Sequence, residues 1–312
     1  MRIISDARTT SERFPEVVLT IGSFDGVHLG HRRILEEVVR AAREMGGTPA
    51  VMSLRPHPRQ FFSPKDAPNI LTCDAKKEEL LEEAGIGVLY VLPFNREVAN
   101  LSPEAFVEQI VVGRCHVSQL IVGHDFCFGK DARGDYEFLK HLAPHYGFEV
   151  SQAPQLVIHG ERVSSTLIRE CILEGEMESV EMFLGRKYSI VGIVGHGRGI
   201  GKTLGFPTAN VEPLHSAVPP HGVYVAEVLL RPGKERYRAA VNIGVAPTIR
   251  HEDMVVEAHL LDYEDDIAGR AIEVVFHKRL RPEKRFESRE ELIEAIAADV
   301  RAVREYFAAF SG

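Results

Sequence analysis

Two histidines three residues apart, His28 and His31, are the side chains in the first half of the chain best suited to act on a phosphate. They follow a short apolar run and the turn 22–26, with Gly30 between them. If a helix starts near Val27, both imidazoles share one face at its N-terminus, where free amides and the helix dipole favour an anion. The segment predicts a nucleotide phosphate site, at which the imidazoles could stabilise charge on the α-phosphorus. A plain surface loop and a histidine metal site are the alternatives, although no cysteine or carboxylate cluster completes a metal site.

A second pattern suited to phosphate is Ser164-Ser165-Thr166-Leu167-Ile168-Arg169. Its hydroxyl residues precede an apolar-periodic helix, so they can cap the helix and also bind phosphate oxygens. Arg169 is one turn further along and could form charge-assisted hydrogen bonds with the β- and γ-phosphates of ATP. An ordinary capped helix shows the same pattern, so this segment alone does not decide between the two.

The third pattern, Gly205-Phe206-Pro207-Thr208-Ala209-Asn210, carries oxygen ligands at alternate positions. In an extended segment Thr208 and Asn210 point the same way, so a hydroxyl and an amide oxygen could bind a hard cation such as Mg²⁺. The preceding glycine-rich stretch, 195–203, is not a P-loop, because His196 stands where that motif needs glycine and the surroundings predict strands. A polar turn is the alternative for the Thr-Ala-Asn segment taken alone.

The run 255–261 predicts a strand with one carboxylate near its start, that of Glu257. If the alternate apolar residues face a core, then Glu257, His259 and Leu261 share the other face. A carboxylate in that position could accept the proton of an attacking hydroxyl group. A glutamate that simply faces solvent is the alternative, and the spacing alone favours it.

The elements that must position these residues fall into two halves. Short apolar runs alternate with helical patterns in the first half, which predicts βαβ units: an α/β domain with a parallel sheet and helices on both faces. The second half has strand-like runs separated by turns, which predicts a small antiparallel β-barrel or sandwich with a terminal helix over Ser288–Phe307. After a helical stretch from Thr166 to Leu184, we place the boundary near Gly185 and predict two domains, 1–185 and 186–312.

Composition limits the classes of partner. The formal net charge is −8, so no overall basic field favours nucleic acid or an anionic membrane. The four cysteines form no CxxC pair, and scattered thiols favour a reducing compartment. The N-terminus has no apolar signal-peptide core, and no run approaches the ~18–20 apolar residues that cross a bilayer. We therefore expect a cytoplasmic protein that acts on small molecules, with a transient homo-oligomer left open.

Several longer segments resemble one known family. GSFDGVHLGHRRIL, from residue 22, resembles the signature of the nucleotidyltransferases with an HxGH motif. MSLRPHPRQFF at 52–62, VGHDFCFGKDARG at 122–134 and VSSTLIRECILEG at 163–175 are similar, in that order, to the bacterial bifunctional riboflavin kinase/FMN adenylyltransferases. GIGKTLGFPTAN, ending at Asn210, and VEAHLLD, from Val256, resemble the kinase signatures of that family. The resemblance covers nearly the whole chain, and the motifs taken together are highly specific.

The resemblance implies two activities and a set of site residues. In a Rossmann-like first domain, AMP would pass from ATP to FMN, giving FAD, and in a β-barrel second domain ATP would phosphorylate riboflavin to FMN. ATP of the first activity would be bound by Gly22, Phe24, Asp25, Gly26, His28, Gly30, His31, Ser164, Ser165, Thr166 and Arg169, and FMN by His57, Pro58, Asp125, Phe126 and Phe128. The kinase site would comprise Gly197, Gly201, Lys202, Gly205, Phe206, Pro207, Thr208, Asn210, Asn242 and Glu257.

The resemblance also implies roles within these sets. His28, His31 and Arg169 would serve adenylyl transfer, and Glu257 would be the base of the kinase. Mg²⁺ would be held by Thr208 and Asn210. One departure stands out, because Arg55 occupies a position at which the family usually has an acidic residue. Any role that needs a carboxylate at position 55 is therefore in doubt for this chain.

Two other functions compete with this interpretation. One is a nucleotidyltransferase with a different acceptor, such as phosphopantetheine, and an appended barrel. The other is a flavin-binding regulatory module that has kept the folds and lost catalysis. The segments GFPTAN and VEAHLLD argue against the first alternative. Intact His28, His31, Arg169 and Glu257 argue against the second.

Overall fold

The computed structural model describes residues 1–64, 67–195, 200–214, 217–233, 235–247 and 252–309. These residues form two compact units, which we treat separately. The first comprises residues 1–68 and 74–164, and the second comprises 69–73 and 165–312. The predicted boundary near Gly185 stays a prediction.

A six-stranded parallel sheet organises the first unit. Its strands are β1 (Arg2–Ile4), β2 (Val17–Ile21), β3 (Thr48–Arg55), β4 (Val88–Pro93), β5 (Val117–Val122) and β6 (Glu149–Gln152). They lie side by side in the order β1-β4-β3-β2-β5-β6, and all neighbouring pairs are parallel. The helices are α1 (Leu29–Met45), α2 (Pro58–Phe62), α3 (Asp74–Glu83), α4 (Arg96–Ala99), α5 (Pro103–Phe106) and α6 (Tyr136–Tyr146), with a π-helical turn at Val107–Val112, a 3₁₀ turn at Lys130–Ala132 and a hairpin of β7 (Val157–Ile158) and β8 (Glu161–Arg162).

Strand periodicity explains why helices cover both faces of this sheet. Along β2, Val17 and Leu19 belong to one apolar cluster, whereas Val18 belongs to the other. The second cluster includes Leu35, Val38 and Ala42, which follow one another at helical spacing on α1. Alternate strand residues thus bury against opposite layers, as expected for a parallel sheet. The predicted α/β class is confirmed.

The strand order creates one reversal point. From β2 the chain moves outward through β3 to β4, and it then returns to place β5 on the other side of β2. In sheets of this kind, ligands bind in the crevice outside the carboxyl ends of the two strands at such a reversal. The loops that leave β2 and β5 begin at Gly22 and Gly123, and they carry the predicted histidine pair and Asp125.

The second unit begins with α7 (Ser165–Glu174) and α8 (Met177–Leu184) and continues as a closed barrel. The barrel strands are β9 (Ser189–Gly195), β10 (Ala209–Pro213), β11 (Gly222–Leu230), β12 (Arg236–Pro247), β13 (Glu252–Leu260) and β14 (Ala271–Arg281), with the one-turn helix α9 (Ile200–Thr203) and the terminal helix α10 (Arg289–Ala309). The strands pair in the order β10-β13-β12-β11-β14-β9, and all described pairs are antiparallel. The predicted barrel is confirmed. Closure leaves no unpaired sheet edge.

Several boundaries differ from those predicted. The helix expected from Val27 begins at Leu29, because Val27 has a positive φ of 40° and His28 is the N-cap. The stretch from Thr166 to Leu184 is two helices, which separate at Gly175 with its φ of 79°. Strand β10, which starts within the Thr-Ala-Asn segment, was not predicted. None of the helices in the described ranges is long and apolar enough to cross a bilayer.

A bidentate ion pair fastens α10 to the barrel. Arg281 on β14 donates to Asp299 on α10 through Nε at 3.0 Å and Nη2 at 2.7 Å, and Asp299 is only 8% exposed. We expect Asp299→Ala to lower the free energy of unfolding by about 2–3 kcal/mol, because it leaves a partly buried guanidinium without its partner. Arg304→Gln, which breaks the exposed pair with Asp262, should barely change the denaturation midpoint. Urea denaturation of both variants checks this, and equal midpoints for the two would contradict it.

Candidate functional sites

The two histidines at the carboxyl end of β2 are stacked against each other. Their ring centroids are 3.7 Å apart, with planes inclined by 15°. The backbone N–H of His31 donates to Nδ1 of His28 at 3.2 Å. Nδ1 therefore carries no proton, and the ring proton of His28 lies on Nε2. The predicted pairing of the imidazoles on one side of the helix is confirmed, although His28 caps α1 rather than lying within it.

The turn before the histidines is strained. Phe24 and Val27 have positive φ angles of 47° and 40°, which are uncommon for residues with a Cβ and rare for a β-branched one. Phe24 is 2% exposed and its ring lies 5.1 Å from that of His31. Asp25 is also buried, at 2% exposure. Strain of this kind persists where the surroundings fix the backbone, and it is concentrated at functional sites.

Gly30 has a packing reason to be glycine. A Cβ added there would lie 3.1 Å from Nδ1 and Cε1 of His28 and 3.4 Å from the carbonyl oxygen of Val163. These approaches are tighter than ordinary van der Waals contacts, so a side chain at position 30 would require its neighbours to shift by a few tenths of an ångström.

The loop after β3 carries the predicted flavin contacts His57 and Pro58. A short helix, α2, lies in this loop, with Pro58 as its first residue. His57 is the N-cap, and its Nδ1 accepts the backbone N–H of Arg59 at 3.2 Å. The loop after β5 carries Asp125, whose exposed carboxylate lies 2.8 Å from Nη2 of Arg162. These residues belong to loops at the carboxyl end of the sheet.

The two predicted phenylalanines have different surroundings. Phe128 is 8% exposed and packs in the core against Phe106 and Phe138. Phe126 is half-buried and stacks on Phe128 at 5.4 Å. Of the pair, Phe126 therefore has the larger exposed surface for a ligand.

An aromatic cluster that the sequence analysis missed lies beside α2. Phe61, Phe62 and Phe94 are arranged edge to face, with centroids 5.3–5.6 Å apart. Phe62 is 65% exposed. Exposed aromatic faces bind flat ring systems well. Phe94 follows a different strand, so only the fold brings it to the other two, and a sequence pattern could not have shown this.

Arg55, at the position where the resemblance led us to expect an acidic residue, forms two ion pairs. Its Nη2 lies 2.8 Å from Glu78 and its Nε 3.2 Å from Asp74, both on α3. Beside them, Lys77 is 6% exposed, and burial lowers the pKa of its ammonium group although Asp74 and Asp25 attract the charge. The charge of Arg55 is thus paired with carboxylates on α3. Lys77, which sequence reasoning missed, is a buried cation that attracts the carboxylate of Asp25.

The Ser-Ser-Thr segment is divided between the two units. Ser164 ends the first unit and precedes α7, while Ser165 and Thr166 form the first turn of that helix in the second unit. Arg169 lies one turn along, as predicted, and its Nε donates to the carbonyl oxygen of Asn69 at 2.7 Å. The proposed contacts of these residues with ATP phosphates stay predictions.

Three predicted kinase residues lie in one row across three barrel strands. Asn210 on β10 and Asn242 on β12 are both direct partners of Glu257 on β13. Partners in antiparallel strands project on the same face with Cβ atoms ~4.5–5.5 Å apart. Neighbouring Val256 and Ala258 are buried in the barrel, so the row faces outward and is partly exposed. The alternation predicted around Glu257 is confirmed.

The segment before β10 wraps closely around Gly201. A Cβ there would lie 2.4 Å from the carbonyl oxygen of Phe206 and 2.9 Å from Oγ of Thr208. Gly205 has a φ of 86°, which favours glycine. A cavity of about 520 Å³ opens beside this loop, and its lining includes Lys202, Thr208 and Asn210. Gly197, another predicted contact, lies outside the described residues.

The close approach at Gly201 leads to a prediction. Gly201→Ala should reduce riboflavin phosphorylation by at least ~10-fold, because the loop must shift to accommodate the methyl group. Conversion of added FMN into FAD by the same preparation should be unchanged. Initial rates of both reactions check this, and a kinase rate equal to that of the unaltered chain would refute it.

The residues present fit Mg²⁺. Thr208 and Asn210 offer neutral oxygen ligands, and the missing side chain at Gly201 leaves room beside the Thr208 hydroxyl. Within the described ranges, no three His, Cys, Asp or Glu side chains are grouped to hold a metal ion. An Mg²⁺ ion bound by two protein oxygens would complete its shell with phosphate oxygens and water, which is its usual manner of binding.

Two family models match the chain, one in each half. Residues 10–167 match the FAD synthetase family model, and residues 184–307 match the riboflavin kinase family model. The first match contains the histidine pair, and the second contains the Asn210–Glu257–Asn242 row. The histidine pair and the barrel row therefore lie in different family matches, whereas Arg169 lies between the two matched ranges.

Similar proteins span nearly the whole chain. A bifunctional riboflavin kinase/FMN adenylyltransferase of Pseudomonas fluorescens is 40% identical, covering 92% of each chain. The protein of the same name from Haemophilus influenzae is 36% identical, covering 98% of this chain and 99% of the relative. A solved structure described as a macrolide-efflux protein from Streptococcus pneumoniae superposes with a TM-score of 0.86 at 28% identity, covering 97% and 98% of the two chains. With both halves matched and full-length relatives at this identity, the chain belongs to the bifunctional riboflavin kinase/FMN adenylyltransferase family.

Proposed function

We propose that the chain makes FAD from riboflavin in two ATP-dependent steps. The barrel domain phosphorylates the 5′-hydroxyl of riboflavin, and the α/β domain transfers AMP from ATP to the resulting FMN and releases pyrophosphate. The observation that carries this proposal is the Asn210–Glu257–Asn242 row on the barrel, in which Asn210 also lines the cavity beside the glycine loop. A nucleotidyltransferase with another acceptor has no need for this second site.

In the kinase step, Glu257 accepts the proton of the riboflavin hydroxyl as its oxygen attacks the γ-phosphorus of ATP, whose bond to ADP breaks so that ADP leaves. The outward-facing, partly exposed position of Glu257 supports this role, because a base must reach the proton that it removes. Thr208 and Asn210 would hold Mg²⁺, which when bound would neutralise charge on the phosphate oxygens. Gly201, Lys202 and Gly205 shape the loop that covers the nucleotide, and Asn242 binds substrate from the strand next to Glu257.

In the adenylyl-transfer step, a phosphate oxygen of FMN attacks the α-phosphorus in line and pyrophosphate leaves. This reaction requires no covalent enzyme intermediate, so positioning and charge stabilisation provide most of the rate. His28 donates from Nε2–H, since its Nδ1 is engaged by the backbone of His31. His31 binds the same phosphate chain from the N-terminal turn of α1, where the helix dipole adds to the attraction. Ser164, Ser165, Thr166 and Arg169 bind its β- and γ-phosphates.

The flavin of FMN binds to the loops that follow β3 and β5. His57, Pro58, Asp125 and Phe126 are the predicted contacts, while Phe128 supports Phe126 from the core. The cluster of Phe61, Phe62 and Phe94 supplies a further exposed aromatic surface at this end of the sheet.

Isotope labels test the two steps separately. Riboflavin with γ-labelled ATP should give labelled FMN, and unlabelled FMN with α-labelled ATP should give labelled FAD. If α-labelled ATP gives no labelled FAD but labels another phosphate compound such as phosphopantetheine, the acceptor is not FMN. Absence of label in FMN from the first reaction would refute the kinase assignment.

A further inference from the structure

His259 is a polar side chain of the barrel to which no role has yet been given. It lies on β13 two residues beyond Glu257, so both side chains project on the outer face. Its Nδ1 is 2.8 Å from the carbonyl oxygen of Pro207. Its ring contacts Phe206 edge to face, with centroids 5.6 Å apart and planes at 84°. Since a carbonyl oxygen can only accept, Nδ1 carries a proton and donates it.

This hydrogen bond lies where the strand ladder stops. The pairing of β10 with β13 ends at Ala209 and Ala258, and the next position along β10 is Thr208. Pro207 has no N–H with which to extend the ladder. The carbonyl oxygen of Pro207 therefore accepts its hydrogen bond from the side chain of His259 and not from the strand ladder.

The held carbonyl belongs to the peptide bond that joins Pro207 to Thr208. A peptide unit is planar, so fixing its oxygen also fixes the orientation of the Thr208 N–Cα bond. From the other side, the backbone N–H of Phe206 donates to the carbonyl oxygen of Gly201 at 2.9 Å. Two hydrogen bonds thus fix this loop, one from Phe206 to Gly201 and one from His259 to Pro207.

We propose that His259 is a positioning residue of the kinase, which keeps Thr208 oriented to bind nucleotide-bound Mg²⁺ together with Asn210. The proposal rests on the roles given above to Thr208 and Asn210. In this proposal His259 acts through Thr208 and not on the reacting atoms. Its loss should therefore weaken binding of Mg·ATP and leave the chemical step largely intact.

Two substitutions separate this role from simple packing. His259→Phe keeps a ring to contact Phe206 but has no donor for Pro207. His259→Asn has no ring, but its amide places an N–H near the position of Nδ1. A positioning role requires the donor, whereas a packing role requires the ring.

The test measures initial rates of riboflavin phosphorylation as Mg·ATP is varied, with Thr208→Ala as the reference. We expect His259→Phe to raise KM for Mg·ATP about tenfold and to leave kcat nearly unchanged. This is the size of effect expected when one hydrogen bond that supports binding is lost. The KM of His259→Asn for Mg·ATP should remain within about threefold of that of the unaltered chain, because this variant keeps a donor for Pro207. Conversion of FMN into FAD and the thermal midpoint should be the same in all variants.

Each contrary result has one meaning. If Thr208→Ala raises KM and His259→Phe does not, the positioning role of His259 is wrong while the proposed metal site stands. If His259→Asn is impaired as much as His259→Phe, the side chain acts through packing and the proposal is also wrong. If Thr208→Ala leaves KM unchanged, the metal site itself is wrong and the role of His259 falls with it.

Discussion

Glu257→Gln should reduce riboflavin phosphorylation by ~10²–10⁴-fold, the range typical for loss of a general base. Glutamine has nearly the shape of glutamate, so the row with Asn210 and Asn242 should persist while the proton acceptor is lost. The loss should appear in kcat, and KM for riboflavin and Mg·ATP should change little. Initial rates with riboflavin as substrate, followed by separation of the flavins, measure the effect.

Two controls accompany this variant. Glu294→Gln removes an exposed carboxylate from α10 and should leave phosphorylation unchanged. Added FMN should be converted into FAD by the Glu257→Gln protein at the rate of the unaltered chain. Retention of more than about a tenth of the kinase activity would remove Glu257 from the role of base, since catalysis by a general base is typically worth far more than that.

His31→Ala should produce the opposite pattern, with FMN accumulating and FAD absent. Removing one preorganised donor to a developing charge typically costs ~10²–10³-fold in rate. In this chain the substitution also removes the ring that stacks on His28 at 3.7 Å, so the effect should fall in the upper part of that range. The rate of FAD formation from FMN and ATP measures it.

His141→Ala is the matched control for this substitution. It removes an exposed histidine from α6 in the same unit and should leave FAD formation unchanged. His28→Ala should resemble His31→Ala, because each ring holds the other. If His31→Ala lowered the rates of both reactions equally in a folded protein, the assignment of two separate sites would be wrong.

The sequence predicted the sites best where local spacing determines the geometry. Alternation around Glu257 correctly placed Val256 and Ala258 inside the barrel and the carboxylate outside. The HxGH spacing correctly paired the two rings. In both cases the period of a strand or helix turn is enough to decide which side chains lie together.

Features that depend on contacts between distant segments could not be predicted. The aromatic cluster of Phe61, Phe62 and Phe94 forms because the loops after β3 and β4 meet, and the ion pairs of Arg55 depend on how α3 packs. We predicted the start of α1 too early. Val27 has a positive φ, a backbone conformation that a β-branched residue rarely adopts, and it precedes the N-cap His28. Strand β10 begins at a proline-containing segment without a strand pattern, and the barrel supplies the pairing that makes it a strand.

A time course of flavin species tests the central claim most directly. The purified full-length chain is incubated with riboflavin, ATP and Mg²⁺, and samples are separated by chromatography. We expect FMN to rise first and then to fall as FAD appears, because the product of the barrel site is the substrate of the histidine site. If no FMN forms, or if FMN forms and neither it nor added FMN is converted into FAD, the two-step assignment is contradicted.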